Sequence, residues 1–166
     1  LEPYVVFNGY FDDPEATREA FFGEWYRTGD LGRRDGNTGA LFFVDRKKDA
    51  IRYAGRNIST MEVESVVIRH PDVREVAAFG IALVEVEGEH ELKLNVVLQD
   101  GTHLTHEDLA GFINENAPHY FVPRYMEFVD SLPMTPTNKV QKFKLRDAGI
   151  GPSTWDLKTS TYQVKR

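Results

Sequence analysis

The sequence predicts an α+β fold from about residue 50 onward, preceded by the closing stretch of a second, larger domain. Three observations carry this reading. Val63, Val66 and Val67, and again Leu109, Phe112 and Ile113, recur at helical spacing, each set just behind a capping sequence. Leu92, Leu94 and Val96 alternate as in a strand. Residues 1–34, by contrast, carry strand, turn and short-helix signals without a matching apolar partner, so they are expected to belong to a core that lies elsewhere.

The elements follow in order. Tyr4 to Phe7 is an apolar strand, Asn8-Gly9 a turn, and Asp13-Pro14 an N-cap followed by proline at the first helical position. Asp35-Gly36-Asn37-Thr38-Gly39 is a turn into a strand, Ala40 to Val44; the charged run Asp45 to Asp49 separates it from another, Ala50 to Ala54. The domain boundary is expected at residues 46–49. Ser59-Thr60-Met61-Glu62 is a capping box that opens a helix, and Pro71 is expected to end it. Val73 to Ile81 and Leu92 to Leu98 are strands joined by an acidic loop, Glu85 to Glu91. Thr105-His106-Glu107-Asp108 caps the second apolar helix, which Pro118 closes. Tyr125 to Val129 is a strand, followed by a proline-bounded loop and a basic amphipathic turn ending at Gly149 and Gly151. Residues 152–166 read as a loosely packed polar tail.

Composition narrows the function. With 166 residues, 41% hydrophobic and 12% aromatic, the chain has enough apolar material for a core of its own. It has no cysteine, which excludes disulfides, thiolate metal sites and cysteine nucleophiles and fits a reducing, cytoplasmic setting. Neither a membrane span nor a secretion signal is expected, because there is no long apolar run and no charged-then-apolar leader. The five histidines show no metal spacing, so no metal site is expected. A net charge of −6 argues against a general nucleic-acid binder, yet basic residues cluster in two islands. Residues 27–56 hold eight basic and four acidic side chains, and residues 138–146 hold four basic ones and no acid. Two such islands suit a small polyanion such as a nucleotide; a solvated charged face is the competing reading.

Within the second island stands Pro136-Thr137-Asn138-Lys139-Val140-Gln141-Lys142. Lys139 sits on a loop stiffened by Pro133 and Pro136, and a positioned ammonium can stabilise charge developing on phosphate or carboxylate oxygens. Alone it would read as a solvated loop lysine. Together with Tyr26-Arg27-Thr28-Gly29-Asp30-Leu31, and with Asp45-Arg46-Lys47-Lys48-Asp49 followed by Ile51, Gly55, Ile58 and Glu62, it resembles the adenylate-forming superfamily. That superfamily includes acyl-CoA synthetases, peptide-synthetase adenylation domains and firefly luciferases. The run Tyr120 to Tyr125, the VQKFKLR segment and the stretch Gly151 to Asp156 look most like bacterial crotonobetaine/carnitine-CoA ligases.

The resemblance implies a fold and a chemistry. Residues 1–45 would end the large N-terminal domain, 46–49 would be a hinge, and 50–151 the small mobile C-terminal domain. A carboxylate would attack the α-phosphorus of ATP to give an acyl-adenylate, and the thiol of CoA would then take the acyl group. Mg2+ would come with ATP, its ligands outside this stretch, and the acid would be held by the large domain, so this chain alone would form no acyl-CoA. Lys139 matches the lysine that meets the reacting oxygens, Asp30 the carboxylate that accepts from the ribose hydroxyls, and Arg46 a second nucleotide contact. Lys48 matches the hinge, Ala54 and Gly55 the small residues beside the pantetheine channel, and Tyr120 and Arg124 positions that meet the CoA nucleotide. The competing readings are a turn aspartate for Asp30, an ion pair with Asp45 or Asp49 for Arg46, packing on the preceding helix for Tyr120 and a solvated Arg124.

Two positions depart from the pattern. Asn138 stands where most members have glycine, and asparagine tolerates the left-handed backbone that glycine would supply. Asn57 replaces a basic residue found in some members. The alternative from another class is a stand-alone module that binds a nucleotide or a protein without catalysis. Within the superfamily, the absence of a following carrier-domain motif favours free CoA as acceptor.

Overall fold

Local signals begin most elements where the sequence places them in a computed structural model that describes residues 7–83, 86 and 88–165. Residues 4–6 of the strand expected at 4–7, and part of the acidic loop at 85–91, lie outside the described residues. The chain divides into two units, one ending at Lys48 and one starting at Asp49.

In the first unit Asp13 caps α1 (Pro14–Ala20), its Oδ1 accepting from the backbone N–H of Ala16 at 2.9 Å, with proline in the first turn. A small hairpin pairs β1 (Phe21–Phe22) with β2 (Trp25–Tyr26). A longer antiparallel ribbon pairs β3 (Asp30–Arg34) with β4 (Leu41–Arg46). Its turn is held by Asp35, whose Oδ1 accepts from the N–H groups of Asn37 and Thr38 and the Thr38 hydroxyl. Those bonds, led by the one from the Thr38 backbone, pull the Asp35 pKa below the usual aspartate value. Phe22, Trp25, Leu41 and Phe43 are exposed, so the hairpin and the ribbon bury little apolar surface within their own unit.

The second unit carries the α+β core. A hairpin of β5 (Ile51–Tyr53) and β6 (Arg56–Ile58) leads into α2 (Thr60–Val67). Ser59 caps that helix by accepting from the Glu62 N–H at 3.4 Å, and the helix stops at Val67, ahead of Pro71, which was expected to end it. Then come β7 (Val73–Ala82), β8 (His90–Leu98) and α3 (His106–Asn116). Thr105 and Asp108 exchange both halves of a capping box at the start of α3. A single 3-10 turn, His119–Phe121, precedes β9 (Tyr125–Phe128); α4 (Lys142–Ala148) and β10 (Trp155–Asp156) complete the unit.

The sheet order is β10-β9-β8-β7. β7 and β8 are antiparallel, α3 makes the crossover to parallel β9, and β10 returns antiparallel on the edge. Leu92, Leu94 and Val96 face a core shared with Val63, Val67, Leu109 and Ile113, the stripes read from the sequence. The opposite face is buried as well, against Leu132 and Leu145, through Ala77, Phe79 and Val97. A small α+β domain with helices packed on a few-stranded sheet is therefore the fold.

Residues 152–166 correct the expectation of a loose tail. β10 extends the sheet, and Leu157, Tyr162 and Val164 pack on the main core. Asn114 fixes the end of the strap: its Oδ1 accepts from the Tyr162 hydroxyl at 3.1 Å and the Lys165 N–H at 2.7 Å. With Trp155, that makes four apolar side chains spaced through a polar segment, enough to dock it.

Lys93 lies at the centre of β8 and is 2% exposed. Its ammonium donates to Glu127 Oε2 at 2.7 Å, the Gly149 carbonyl at 2.7 Å and Thr154 Oγ1 at 3.2 Å, joining β9, the end of α4 and the strap. Burial works against the Glu127 carboxylate, but hydrogen bonds from Lys93, Ser153 and Thr154 outweigh it and hold its pKa below the usual glutamate value. Removing the ammonium would leave a largely covered carboxylate, 19% exposed, without its cation. Lys93→Met is expected to destabilise the fold by about 3 kcal/mol or more; urea denaturation showing a loss under about 1 kcal/mol would contradict the assigned role.

His106 gives the fold a pH dependence. Its ring stacks on Phe128 at 4.1 Å between centroids and lies parallel to Trp155 at 5.9 Å, with Nε2 buried and unpaired among the described residues. Burial pushes its pKa below the ordinary 6.5, partly offset by Glu107. The folded state thus binds fewer protons than the unfolded one as the pH falls. The neutral imidazole's contribution is fully present above the unfolded value and is lost as the pH drops through the lower folded one. His106→Phe should flatten the fall in melting temperature between about pH 7 and about pH 5; an unchanged slope would assign that fall to other groups.

Candidate functional site

Each unit contributes sequence-predicted residues, and each set has its own geometry. In the first unit Asp30 and Arg46 are cross-strand partners at the open end of the β3–β4 ribbon. Arg46 Nε lies 3.0 Å from Asp30 Oδ1, with the two side chains 56% and 35% exposed. The partner of Arg46 is therefore Asp30, not Asp49; Asp49 pairs with Arg146 Nη1 at 2.9 Å. The guanidinium orients a carboxylate that still faces solvent, and such a carboxylate can accept from vicinal hydroxyls. The backbone N–H of Lys47 donates to the Gly29 carbonyl at 2.8 Å, carrying the pairing past the strand end. Lys48 is exposed in the turn that follows and is the last residue of the first unit.

In the second unit the lysine loop is a closed hairpin. Met134 bridges Val140, the Thr135 N–H donates to the Lys139 carbonyl at 2.8 Å, and Thr135 Oγ1 accepts from the Lys139 N–H at 3.0 Å. Asn138 has φ +57°, the left-handed conformation that the asparagine was expected to tolerate in place of glycine. Lys139 is exposed on the returning side of the hairpin, directly after the turn at 136–138. The loop runs directly into α4, where Lys142 Nζ donates to Thr60 Oγ1 at 2.8 Å and pairs with Glu64 Oε1 at 2.8 Å. The cation thus stands on a short, hydrogen-bonded platform.

Another surface of the same unit gathers the remaining residues. The two-residue turn between β5 and β6 has Ala54 at φ +46° and Gly55 at φ +75°, the pair of positive values that closes a tight hairpin. Alanine is strained there, and its small side chain leaves the turn low. A Cβ placed on Gly55 would meet nothing within 4 Å, so that glycine answers to backbone angle and leaves open space above it. Beside the turn, a cleft of about 550 Å³ is lined by Tyr53, Ala54, Arg56, His119, Tyr120 and Val122, with Leu157 and Val164 from the strap. Arg56 stacks over the Tyr120 ring at 5.2 Å, offering a cation and an aromatic face together.

Ala54 and Tyr120 are thereby brought to one cleft. Arg124 lines a smaller cavity that also touches Tyr53 and Tyr120, but its guanidinium is engaged. Its Nη1 lies 3.0 Å from Glu91 Oε1, its Nε 3.3 Å from Asp156 Oδ1, and it stacks on Tyr125 at 4.7 Å. Burial works against its charge, yet the bonds to Asp156 and Glu91 leave its pKa raised. Arg124 is neither solvated nor free, and serves first as a brace between β9, β8 and the strap. Sequence reasoning missed Arg56, whose signal was its place directly after Gly55, and missed Arg146 and Lys142, visible only as basic residues in VQKFKLR. Among the described residues, no three His, Asp or Glu side chains converge on a metal position.

Comparison with known proteins gives the context. Residues 62–139 match the family described as the AMP-binding enzyme C-terminal domain. The chain is 38% identical over 148 residues to the mitochondrial medium-chain acyl-CoA ligase ACSF2 of Bos taurus, covering 89% of this chain and 24% of that protein. It is 35% identical over 143 residues to a crotonobetaine/carnitine–CoA ligase of Salmonella arizonae, covering 86% of this chain and 27% of that one. The crystal structure of ATP-bound MatB from Rhodopseudomonas palustris superposes with a TM-score of 0.76 at 30% identity, over 86% of this chain and 28% of that chain. The chain spans about a quarter of the length of these relatives. Residues 62–139 thus form a domain of the kind described as the AMP-binding enzyme C-terminal domain, and over most of its length the chain is similar to one part of these ligases.

Proposed function

We propose that this chain is the C-terminal part of an ATP-dependent acyl-CoA ligase that activates a carboxylic acid as its adenylate and hands the acyl group to CoA. The observation that carries the reading is the lysine hairpin, which holds an exposed cation at a fixed backbone position within the matched domain. Lys139 would approach the acid carboxylate and the α-phosphate, stabilising negative charge as the acyl–phosphate bond forms and pyrophosphate leaves. Asp30, oriented by Arg46, would accept from the ribose hydroxyls. Mg2+ would accompany the ATP phosphates. The chain by itself, without the segments that hold the acid, would form no acyl-CoA.

For the second half-reaction the small domain would turn about Lys48 and bring a different surface to the acyl-adenylate. The low turn at Ala54 and Gly55 would let the pantetheine arm pass close to the backbone. Tyr120 would meet the CoA nucleotide by stacking, with Arg124 holding the strand beneath it. A crotonobetaine/carnitine type of acid is the finer reading. It is supported by the likeness at Tyr120 to Tyr125 and by the Salmonella ligase, while the bovine ligase of medium-chain acids is similar to a comparable degree.

Single-turnover assays of the two half-reactions in the enzyme that contains this chain test the proposal, run with crotonobetaine and a medium-chain fatty acid side by side. Lys139→Ala should slow adenylation by about 10²- to 10³-fold and leave thioester formation from supplied acyl-adenylate nearly intact. Equal losses in both steps would sink the role, and a preference for the fatty acid would sink the finer assignment. In the same assays Lys48→Pro, which fixes φ, should depress thioester formation more than adenylation. A pivot at residue 48 would be excluded by the reverse order.

A further inference from the structure

Arg146 is absorbed by none of the roles above, yet its position is specific. It lies on α4, the helix that grows directly out of the lysine hairpin, and its Nη1 reaches Asp49 Oδ1 at 2.9 Å. Asp49 is the first residue of the second unit and follows Lys48 in the chain. The pair is 27% and 15% exposed, so water screens it only in part. The rest of α4 is anchored as well: Lys142 holds Thr60 and Glu64 at its start, and the Gly149 carbonyl accepts from Lys93 at its end. Of these anchors, only the Arg146 ion pair ties the helix to the stretch where the unit begins.

We propose that Arg146 is a positioning residue for Lys139, which rests on the reading of Lys139 given above. Its ion pair with Asp49 locks the lysine hairpin and α4 to the first residue after Lys48. A change of backbone angle at Lys48 then carries Lys139 through space as part of one rigid body, instead of being absorbed by α4 swinging against the chain. Arg146 does not touch the reacting atoms. It acts by keeping the distance from the pivot to the lysine tip constant, so that the ammonium arrives within contact distance of the phosphate.

The consequence is an epistasis that a merely structural role would not produce. Arg146→Gln, in the enzyme that contains this chain, should slow adenylation by about 10- to 100-fold, the range expected when a reacting group is misplaced from a distance. On the Lys139→Ala background the same substitution should slow it no further, because there is no ammonium left to misplace. Arg146→Lys, which can still make the single N–O contact to Asp49, should recover most of the rate. Asp49→Asn breaks the pair from the other side with little change of shape, and should give the same pattern should Arg146→Gln fail to fold. ATP–pyrophosphate exchange reads the step. Losses that multiply on the Lys139→Ala background, or no loss from either Arg146→Gln or Asp49→Asn alone, would overturn the inference while leaving the role of Lys139 standing. An unaffected Lys139→Ala enzyme would overturn both.

Discussion

The second unit is organised about an ammonium ion in a place where water cannot follow it. Lys93 is 2% exposed on a central strand, and an unpaired cation there would be prohibitively unfavourable. The structure must bring acceptors to it, and those acceptors come from three separate segments: Glu127 on β9, the Gly149 carbonyl at the end of α4, and Thr154 in the strap. Satisfying one buried charge therefore fixes the parallel strand, the helix behind the lysine hairpin and the edge strand with respect to one another. Apolar packing on the two faces of the sheet supplies most of the driving force, but it is tolerant of small slips in a way that hydrogen bonds to an ammonium are not.

That constraint bears on the surface where chemistry is proposed. The Lys139 hairpin is short, closed by bonds between Thr135 and Lys139, and carried on α4. Because α4 is held at its start by Glu64, at its end by Lys93 and along its length by Asp49, the hairpin has a defined base although its tip is open to solvent. The Ala54–Gly55 turn is built on a different principle. It needs no such anchors, because two positive φ values make it tight by covalent geometry alone. One surface is positioned by long-range ion pairs and the other by local backbone conformation.

The strap from residue 152 onward links those two principles. It adds β10 beside β9, supplies Asp156 to Arg124, and walls the cleft beside Ala54 and Tyr120 with Leu157 and Val164. Arg124 thereby becomes part of a charged brace, with Glu91 on one side and Asp156 on the other. The aromatic and cationic character of the cleft then falls to Tyr120 and Arg56, which stack on each other at its edge.

The sequence by itself determined whatever depends on neighbours along the chain. The caps at Asp13, Ser59 and Thr105, the stripes at Val63 to Val67 and Leu109 to Ile113, and the left-handed Asn138 all rest on hydrogen bonds or periodicities spanning a few residues. The stretches carrying Asp30, Arg46 and Lys139 could be singled out because they are contiguous motifs. Tertiary structure alone decided the partners: Lys93 with Glu127, Lys142 with Thr60 and Arg146 with Asp49 are 34, 82 and 97 residues apart. It also decided that Lys93 and Asn95, the polar residues between the alternating Leu92, Leu94 and Val96, are buried on the face that carries Leu132 and Leu145, and that the polar tail is a strap. The reason is physical: periodicity reports which face of an element is apolar, whereas the pairing of a charge depends on which distant segment the fold brings within about 3 Å of it.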